Sequence, residues 1–386
     1  MTTDNPAIDQ EWLAREFPLD EALVYLNHAA VAPWPARTAA AVQAFAEENM
    51  RFGASRYPAW LDTEAQLRER LARFIHAASS DDIALVKNTS EALSMVAGGL
   101  DWRFGDNVVS SNQEFPSNRI PWQAQQQYGV EFRQVDLLAD ATPEAALINA
   151  CDDRTRVLTI SSVQYGSGLK LNLEKLGRHC RANNIIFCVD AIQSLGVHKI
   201  DVQAIHADFI MADAHKWLLG PEGIAVFYSS PQRRYELKLH EYGWHMVQQA
   251  GDYDQKEWRP AASAKRFECG SPNMLGIYAF AASLSLFEEV GMESTEQQIQ
   301  HVSSYLIESL RQINALEFIS PLETDRRGGI VTFRINGLPG KRLHAELMQA
   351  NVICANRAGG VRLSPHFYTP EKKIDQAVKI IKSRSG

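Results

Sequence analysis

The 386-residue chain contains no apolar run approaching the ~18 residues that span a bilayer, no basic excess and no paired cysteines. Its 39 Lys and Arg face 46 Asp and Glu, a formal net charge of -7. Nucleic acid and anionic membranes need a concentrated basic face, so neither is expected as a partner. The five cysteines, Cys151, Cys180, Cys188, Cys269 and Cys354, are an odd number with no C-x-x-C spacing. That argues against a disulfide framework and against structural zinc. The eleven histidines show no H-E-x-x-H or similar ligand spacing, so no metal is expected. Met1 to Glu16 lack the apolar stretch of a secretory signal, which makes the cytoplasm the expected compartment and the Asn88-Thr89-Ser90 sequon a coincidence. A nicotinamide-binding turn would read G-x-G-x-x-G after a strand. Gly166-Ser167-Gly168 has no third glycine and opens no clean helix, which removes a dehydrogenase from consideration. There is no internal repeat and no low-complexity tract.

What the chain does have is an alternation of short apolar runs and amphipathic segments. Strands are predicted at Ala22–Asn27, Ile83–Asn88, Asn107–Asn112, Phe132–Asp136, Val157–Val163, Ile185–Asp190, Phe209–Ala212 and Gly223–Tyr228. Helical patterns fill the gaps at Trp60–Ile75, Glu91–Leu100 and Leu173–Asn183. Runs apolar on both alternating faces suit a parallel sheet covered by helices, so the class is α/β with a mostly parallel, doubly wound sheet. Too few residues separate the last two strands for a helical crossover, and that pair should be antiparallel. Residues 230–268 are polar, aromatic-rich and weakly periodic. After them, helices are predicted at Met274–Val290 and, capped by Ser294, as far as Ile313. Strands Glu317–Ser320, Gly329–Arg334, Val352–Ala355 and Gly360–Leu363 and helices Lys341–Ala350 and Pro370–Lys382 complete a smaller α+β unit. The division is an N-terminal segment at 1–20, a large α/β domain at 21–260 and a C-terminal α+β domain at 261–386.

Ligands of an open parallel sheet bind beyond the carboxyl ends of its strands. Polar residues of different chemistry sit directly there: Asp190 after one strand, Asp213-Ala214-His215-Lys216 after another, and Asn88-Thr89-Ser90-Glu91 opening a helix. A lysine, a carboxylate and a hydroxyl-rich helix start are what pyridoxal phosphate needs. Lysine condenses with its aldehyde, a carboxylate holds its ring nitrogen protonated, and a helix N-terminus binds its phosphate. Each piece alone is ordinary; their order and spacing together make the case.

Cys188-Val189-Asp190-Ala191-Ile192-Gln193-Ser194-Leu195-Gly196, followed by Asp213-Ala214-His215-Lys216-Trp217, resembles the signature of the class V aminotransferases. These fold-type I pyridoxal-phosphate enzymes include cysteine desulfurases, selenocysteine lyases, kynureninases and isopenicillin N epimerase. The likeness runs from Tyr25-Leu26-Asn27-His28-Ala29-Ala30 to Arg362-Leu363-Ser364-Pro365. It implies that Lys216 is the Schiff-base lysine, Asp190 the partner of the ring nitrogen and Gln193 a contact of the ring hydroxyl. Thr89, Ser90 and His215 fall at phosphate contacts, and Phe115 where an aromatic ring stacks on the cofactor. Gln164, or Tyr165 one residue on, matches a polar position near the cofactor hydroxyl. Arg362 matches the arginine that grips the substrate carboxylate, while Asn27 and His28 lie in a segment that covers the site in relatives, where both are candidate substrate contacts and His28 is equally a candidate structural histidine. Ser271, in Cys269-Gly270-Ser271-Pro272-Asn273, matches a contact with the phosphate of a neighbouring subunit, implying a homodimer. Asp213 departs from the desulfurases, which commonly carry serine there; a carboxylate would repel a phosphate.

Desulfurases also need a mobile cysteine loop upstream of the carboxylate-binding arginine. Only Asn356 to Val361 separate Cys354 and Ala355 from Arg362, so persulfide chemistry on a protein thiol is not expected. The expectation is an enzyme acting at the α-carbon of an amino acid through Lys216, first of all an aminotransferase. A lyase working by C–S or similar elimination, or an amino-acid epimerase, is the alternative. A catalytically idle pyridoxal-phosphate-binding structural or regulatory protein is a third reading; the intact Lys216, Asp190 and Arg362 set argues against it.

Overall fold

The structure, a computed structural model, describes residues 10–384. The first nine residues of the expected N-terminal segment lie outside it. Among the described residues thirteen strands follow one another: β1 (Val24–Tyr25), β2 (Ile83–Val86), β3 (Asn107–Ser111), β4 (Glu131–Val135), β5 (Thr155–Ser161), β6 (Ile186–Asp190), β7 (Phe209–Asp213), β8 (Ala225–Ser229), β9 (Leu316–Phe318), β10 (Val331–Ile335), β11 (Val352–Ile353), β12 (Ala355–Arg357) and β13 (Gly360–Leu363). Seven of them form the main sheet in the order β2-β8-β7-β6-β5-β3-β4. Neighbours from β7 to β4 are parallel, and β8 runs antiparallel to both β7 and β2, as the short β7–β8 connection requires.

The apolar runs of the strands are explained by burial on both faces. In β6, Phe187 and Val189 join the core on one side of the sheet, with Leu158, Ile160 and Ile210. Ile186 and Cys188 join the core on the other, with Val157, Phe209 and Met211. Helices Tyr57–Phe74 and Leu173–Ala182 pack into the first core and helix Thr89–Gly99 into the second. Each large aliphatic or aromatic side chain so buried contributes roughly 1.5–3 kcal/mol.

A four-stranded antiparallel sheet, β12-β13-β10-β9, carries the C-terminal unit, with helices Met292–Leu310, Gly340–Gln349 and Glu371–Arg384 around it. Three expectations change here. The predicted strand Val352–Ala355 divides at Cys354: β11 pairs with β1 in parallel, whereas β12 turns away to pair with β13. Val24 and Leu26, grouped by sequence with 21–260, therefore pack their side chains among Phe333, Val352 and Leu363. The helix expected to be capped by Ser294 starts at Met292, because Gly291 (φ +82°) breaks helix Met274–Val290 and the chain re-enters a helix at once.

Candidate active site

A cavity of about 290 Å³ opens where the carboxyl ends of β5, β6 and β7 meet the β12–β13 hairpin. Asp190, the last residue of β6, is 2% exposed, and its Oδ1 accepts the Ile192 N–H at 3.0 Å. Burial raises its pKa, with smaller contributions from Glu114 and Asp213, while the charge of Lys216 opposes the rise. Such a carboxylate is stabilised by a cationic N–H placed against it. Lys216 lines the same cavity, and its Nζ stands 5.6 Å from the centroid of the Phe115 ring. Burial lowers its pKa; the Asp190 and Asp213 carboxylates oppose the fall, and Arg362 and Arg357 add to it. A lysine so placed reaches its neutral, nucleophilic form at a lower pH than a solvated one.

Gly196 (φ +90°) explains how the loop after β6 lies against the chain after Lys216: a Cβ there would come within 2.3 Å of the Trp217 carbonyl oxygen. The Trp217 Nε1–H donates to Gln193 Oε1 at 2.8 Å, and the Gln193 amide donates to the Ala29 carbonyl at 3.0 Å. Gln193 is thus fixed at the cavity wall with one amide hydrogen to spare.

At the other end, Asn88 caps helix Thr89–Gly99, its side chain accepting the Glu91 N–H at 2.8 Å. Asp213 clasps this helix reciprocally. Its Oδ1 accepts the Thr89 N–H at 3.2 Å, and Thr89 Oγ1 accepts the Asp213 N–H at 3.1 Å. The Asp213 carboxyl is pushed up to about 6, first by burial. Asp213 therefore anchors the helix start rather than touching an anion. Ser90 is exposed and bonds Ser117, at 2.7 Å, and it is Ser117 that lines the cavity. His215 Nδ1 is buried with no hydrogen-bond partner, and burial lowers its pKa to about 4.

Arg362 is 2% exposed on β13, an inner strand of its sheet. Nη1 donates to the Tyr165 carbonyl at 2.9 Å and Nε has no partner. Burial, reinforced by Arg357, lowers its pKa to about 9. A buried guanidinium with open donors is made for a planar anion.

Three expected contacts are corrected. Gln164 is fully buried behind the cavity, donating to Glu114 Oε1 at 2.8 Å. Tyr165 lines the cavity instead, edge-on to Phe115 at 5.1 Å. His28 is fully buried too; its Nδ1–H donates to the Ser364 carbonyl at 2.8 Å, so Nε2 accepts from the Tyr368 hydroxyl at 2.6 Å. It ties β1 to the C-terminal unit and does not face the cavity. Asn27 bridges to Ser364 beside it, its Oδ1 buried without a partner, and the cavity wall begins only at Ala29. Ser271 does not reach this cavity within its own chain; it lies exposed beside a separate depression bordered by Lys87 and Glu91.

Sequence reading missed Arg357, Glu222 and Ser161 in the cavity wall, and Glu114 behind it. Glu114 accepts from the Ser161 N–H at 3.0 Å, Asn118 Nδ2 at 2.9 Å and Gln164, a buried carboxylate held by dipoles. Nothing in its local sequence marks it. The wall as a whole fits an aromatic aldehyde carrying a ring nitrogen and a phosphate. Asp190 suits the nitrogen, Lys216 the aldehyde, and Thr89 and the unpartnered His215 Nδ1 the phosphate.

The sequence model described as aminotransferase class-V matches residues 24–376. A probable cysteine desulfurase of Methanothermobacter thermautotrophicus is 30% identical, over 97% of this chain and 98% of its own length. Among solved structures, an apo cysteine desulfurase of Thermococcus onnurineus NA1 superposes with a TM-score of 0.87 at 22% identity, over 97% of this chain and 98% of that one. The cystine C-S lyase C-DES, in complex with its product cysteine persulfide, gives 0.86 at 23% identity, over 93% and 97%. At these identities the two structures speak for the fold.

Proposed function

Since this chain belongs to the class V aminotransferase family, we propose that it binds pyridoxal phosphate in the Asp190–Lys216 cavity and removes a proton from the α-carbon of an amino acid. The observation that carries this reading is Lys216, its charge disfavoured by burial, in one cavity with the buried Asp190 and the open donors of Arg362. Bound there, the cofactor would supply an aldehyde for covalent capture of amines and a ring that delocalises the electron pair left at the α-carbon. Asp190 would hold the ring nitrogen protonated. Thr89 and His215 would fix the phosphate, and Phe115 would cover the ring face against water. Arg362 would take the substrate carboxylate in a two-bond grip and so aim the α-hydrogen at Lys216 Nζ. Lys216 would then accept that proton and return it to a neighbouring carbon.

Amino transfer suits this wall. It needs one mobile base, and Phe115, at the ring-stacking position, can neither give nor take a proton. The names of the relatives favour a second reading, C–S bond cleavage. Were it so, this chain would work without a thiol of its own, since none of its five cysteines lines the cavity and burial pushes the Cys354 thiol up to about 12. Two measurements test the proposal. Borohydride treatment of cofactor-loaded protein should fix a pyridoxyl group on Lys216 and on no other residue. An amino-acid panel with a keto-acid acceptor, read by mass spectrometry, separates a new keto acid from an eliminated fragment. A label elsewhere, or no conversion of any amino acid, would overturn it.

A further inference from the structure

The cavity contains a second guanidinium for which the proposed reaction, on which this inference rests, has so far no use. Arg357 lines the cavity with Arg362. Their placement follows from the hairpin register. Ala355 lies opposite Arg362 and Arg357 opposite Gly360, so Arg357 and Arg362 project from one face as diagonal neighbours, a relation that sets side-chain origins roughly 7 Å apart. The turn between the strands has two residues, Ala358 (φ +49°) and Gly359 (φ +78°). Left-handed backbone at both positions is the tight turn that matches strand twist. Alanine adopts it at a cost of roughly 1 kcal/mol. The pair of arginines is thus held on a short, stiff support.

Neither guanidinium has a carboxylate partner among the described residues. Arg357 Nη1 donates to the Asn356 carbonyl at 2.8 Å, as Arg362 does to that of Tyr165. Two of the three other buried arginines are neutralised, Arg68 by Glu64 and Glu268 and Arg234 by Asp82; the third, Arg327, donates to the Ser304 and Thr324 hydroxyls, away from this cavity. Two like charges on one face, one of them almost wholly buried and with an unpartnered Nε, call for two negative groups.

We propose that Arg357 is a specificity-determining residue that binds a side-chain carboxylate, so that the enzyme selects four- and five-carbon acidic amino acids. Arg362 takes the α-carboxylate in the buried part of the cavity and Arg357, half-exposed at its rim, takes the second.

The test uses equilibrium binding of unreactive acids to cofactor-loaded protein, followed by calorimetry, with propionate and butyrate against succinate and glutarate. The wild type should bind the diacids about tenfold more tightly than the matching monoacids, the worth of one charge-assisted pair. Arg357→Gln should remove that ratio and leave monoacid binding unchanged; Arg357→Lys, which keeps the charge but not the fork, should keep part of it. Equal weakening of both classes would mean that Arg357 shares the α-carboxylate, and an unchanged ratio that it is a bystander; either overturns the proposal, as does a failure of the wild type to prefer diacids. Because no turnover is involved, a preserved ratio in protein that converts no amino acid would uphold the selectivity while refuting the reaction.

Discussion

Acid should loosen this protein through His28 before it affects surface charges. His28 is fully buried, and burial, only partly offset by the Ser364 carbonyl, lowers its pKa from 6.5 to about 4. In the unfolded chain the ring titrates near its ordinary value. Between those limits the unfolded state binds the extra proton, so stability rises with pH there. The contribution is fully present above about pH 6.5 and is lost as pH falls towards 4. For a single group shifted this far the loss is about 1.4 kcal/mol at pH 5.5 and about 3 kcal/mol once the pH is at 4 or below. His366 adds to it: it too is fully buried and held well below 6.5, its Nε2–H donating to the Trp217 carbonyl at 3.1 Å while Nδ1 accepts the Phe367 N–H at 2.9 Å. Both rings are satisfied in the neutral form, and a proton on His366 Nδ1 would face another N–H. The assay is urea unfolding at fixed protein concentration at pH 7.5, 6.5 and 5.5, for wild type and His28→Gln. Glutamine can keep a bond to Ser364 or Tyr368 but cannot titrate. The variant should be less stable at pH 7.5 yet lose about 1.4 kcal/mol less than wild type on going to pH 5.5. Parallel profiles, or a steeper one for the variant, would refute the assignment.

Replacing Asp190 by Asn should leave the fold and some cofactor binding intact while lowering turnover roughly a hundredfold or more, since an aimed charge is worth a few kcal/mol to a developing one; unchanged kinetics would remove Asp190 from the mechanism. The Ser271 segment, idle towards its own cavity, is expected to complete the phosphate site of a second copy in a homodimer. Mixing Lys216→Ala and Ser271→Ala chains through mild denaturation should then restore activity above either parent, because one of the two heterodimer sites regains both residues; heterodimers without recovery would make Ser271 purely structural.

The main sheet and the positions of Asp190 and Lys216 were legible in the sequence because both depend on local signals. Apolar runs mark buried strands, and a polar residue directly after one lies at the binding edge. Side-chain partnership was not legible where it crosses the chain. Within its own segment His28 reads equally as a substrate contact or a structural histidine, and the choice is made by Ser364 and Tyr368, which arrive from the far end. Gln164 and Tyr165 are both polar enough for the cavity; Glu114, itself buried, claims the first. Arg357 carries no motif. It is found only through a register that a two-residue turn sets.

The docking of residues 24–28 onto the C-terminal unit also bears on how the chain folds as it is made. The seven strands of the main sheet are all synthesised by Ser229, so that layer can form while the rest is still to come. The partners of β1 and His28 emerge much later, Ser364 lying 336 residues after His28. At typical elongation rates of 5–20 residues per second, the N-terminal strand waits roughly 15–70 s for them. Until Val302 and the residues after it emerge, Val24 and Leu26 lack the core partners they have in the folded protein, which leaves this short segment open to off-pathway contacts.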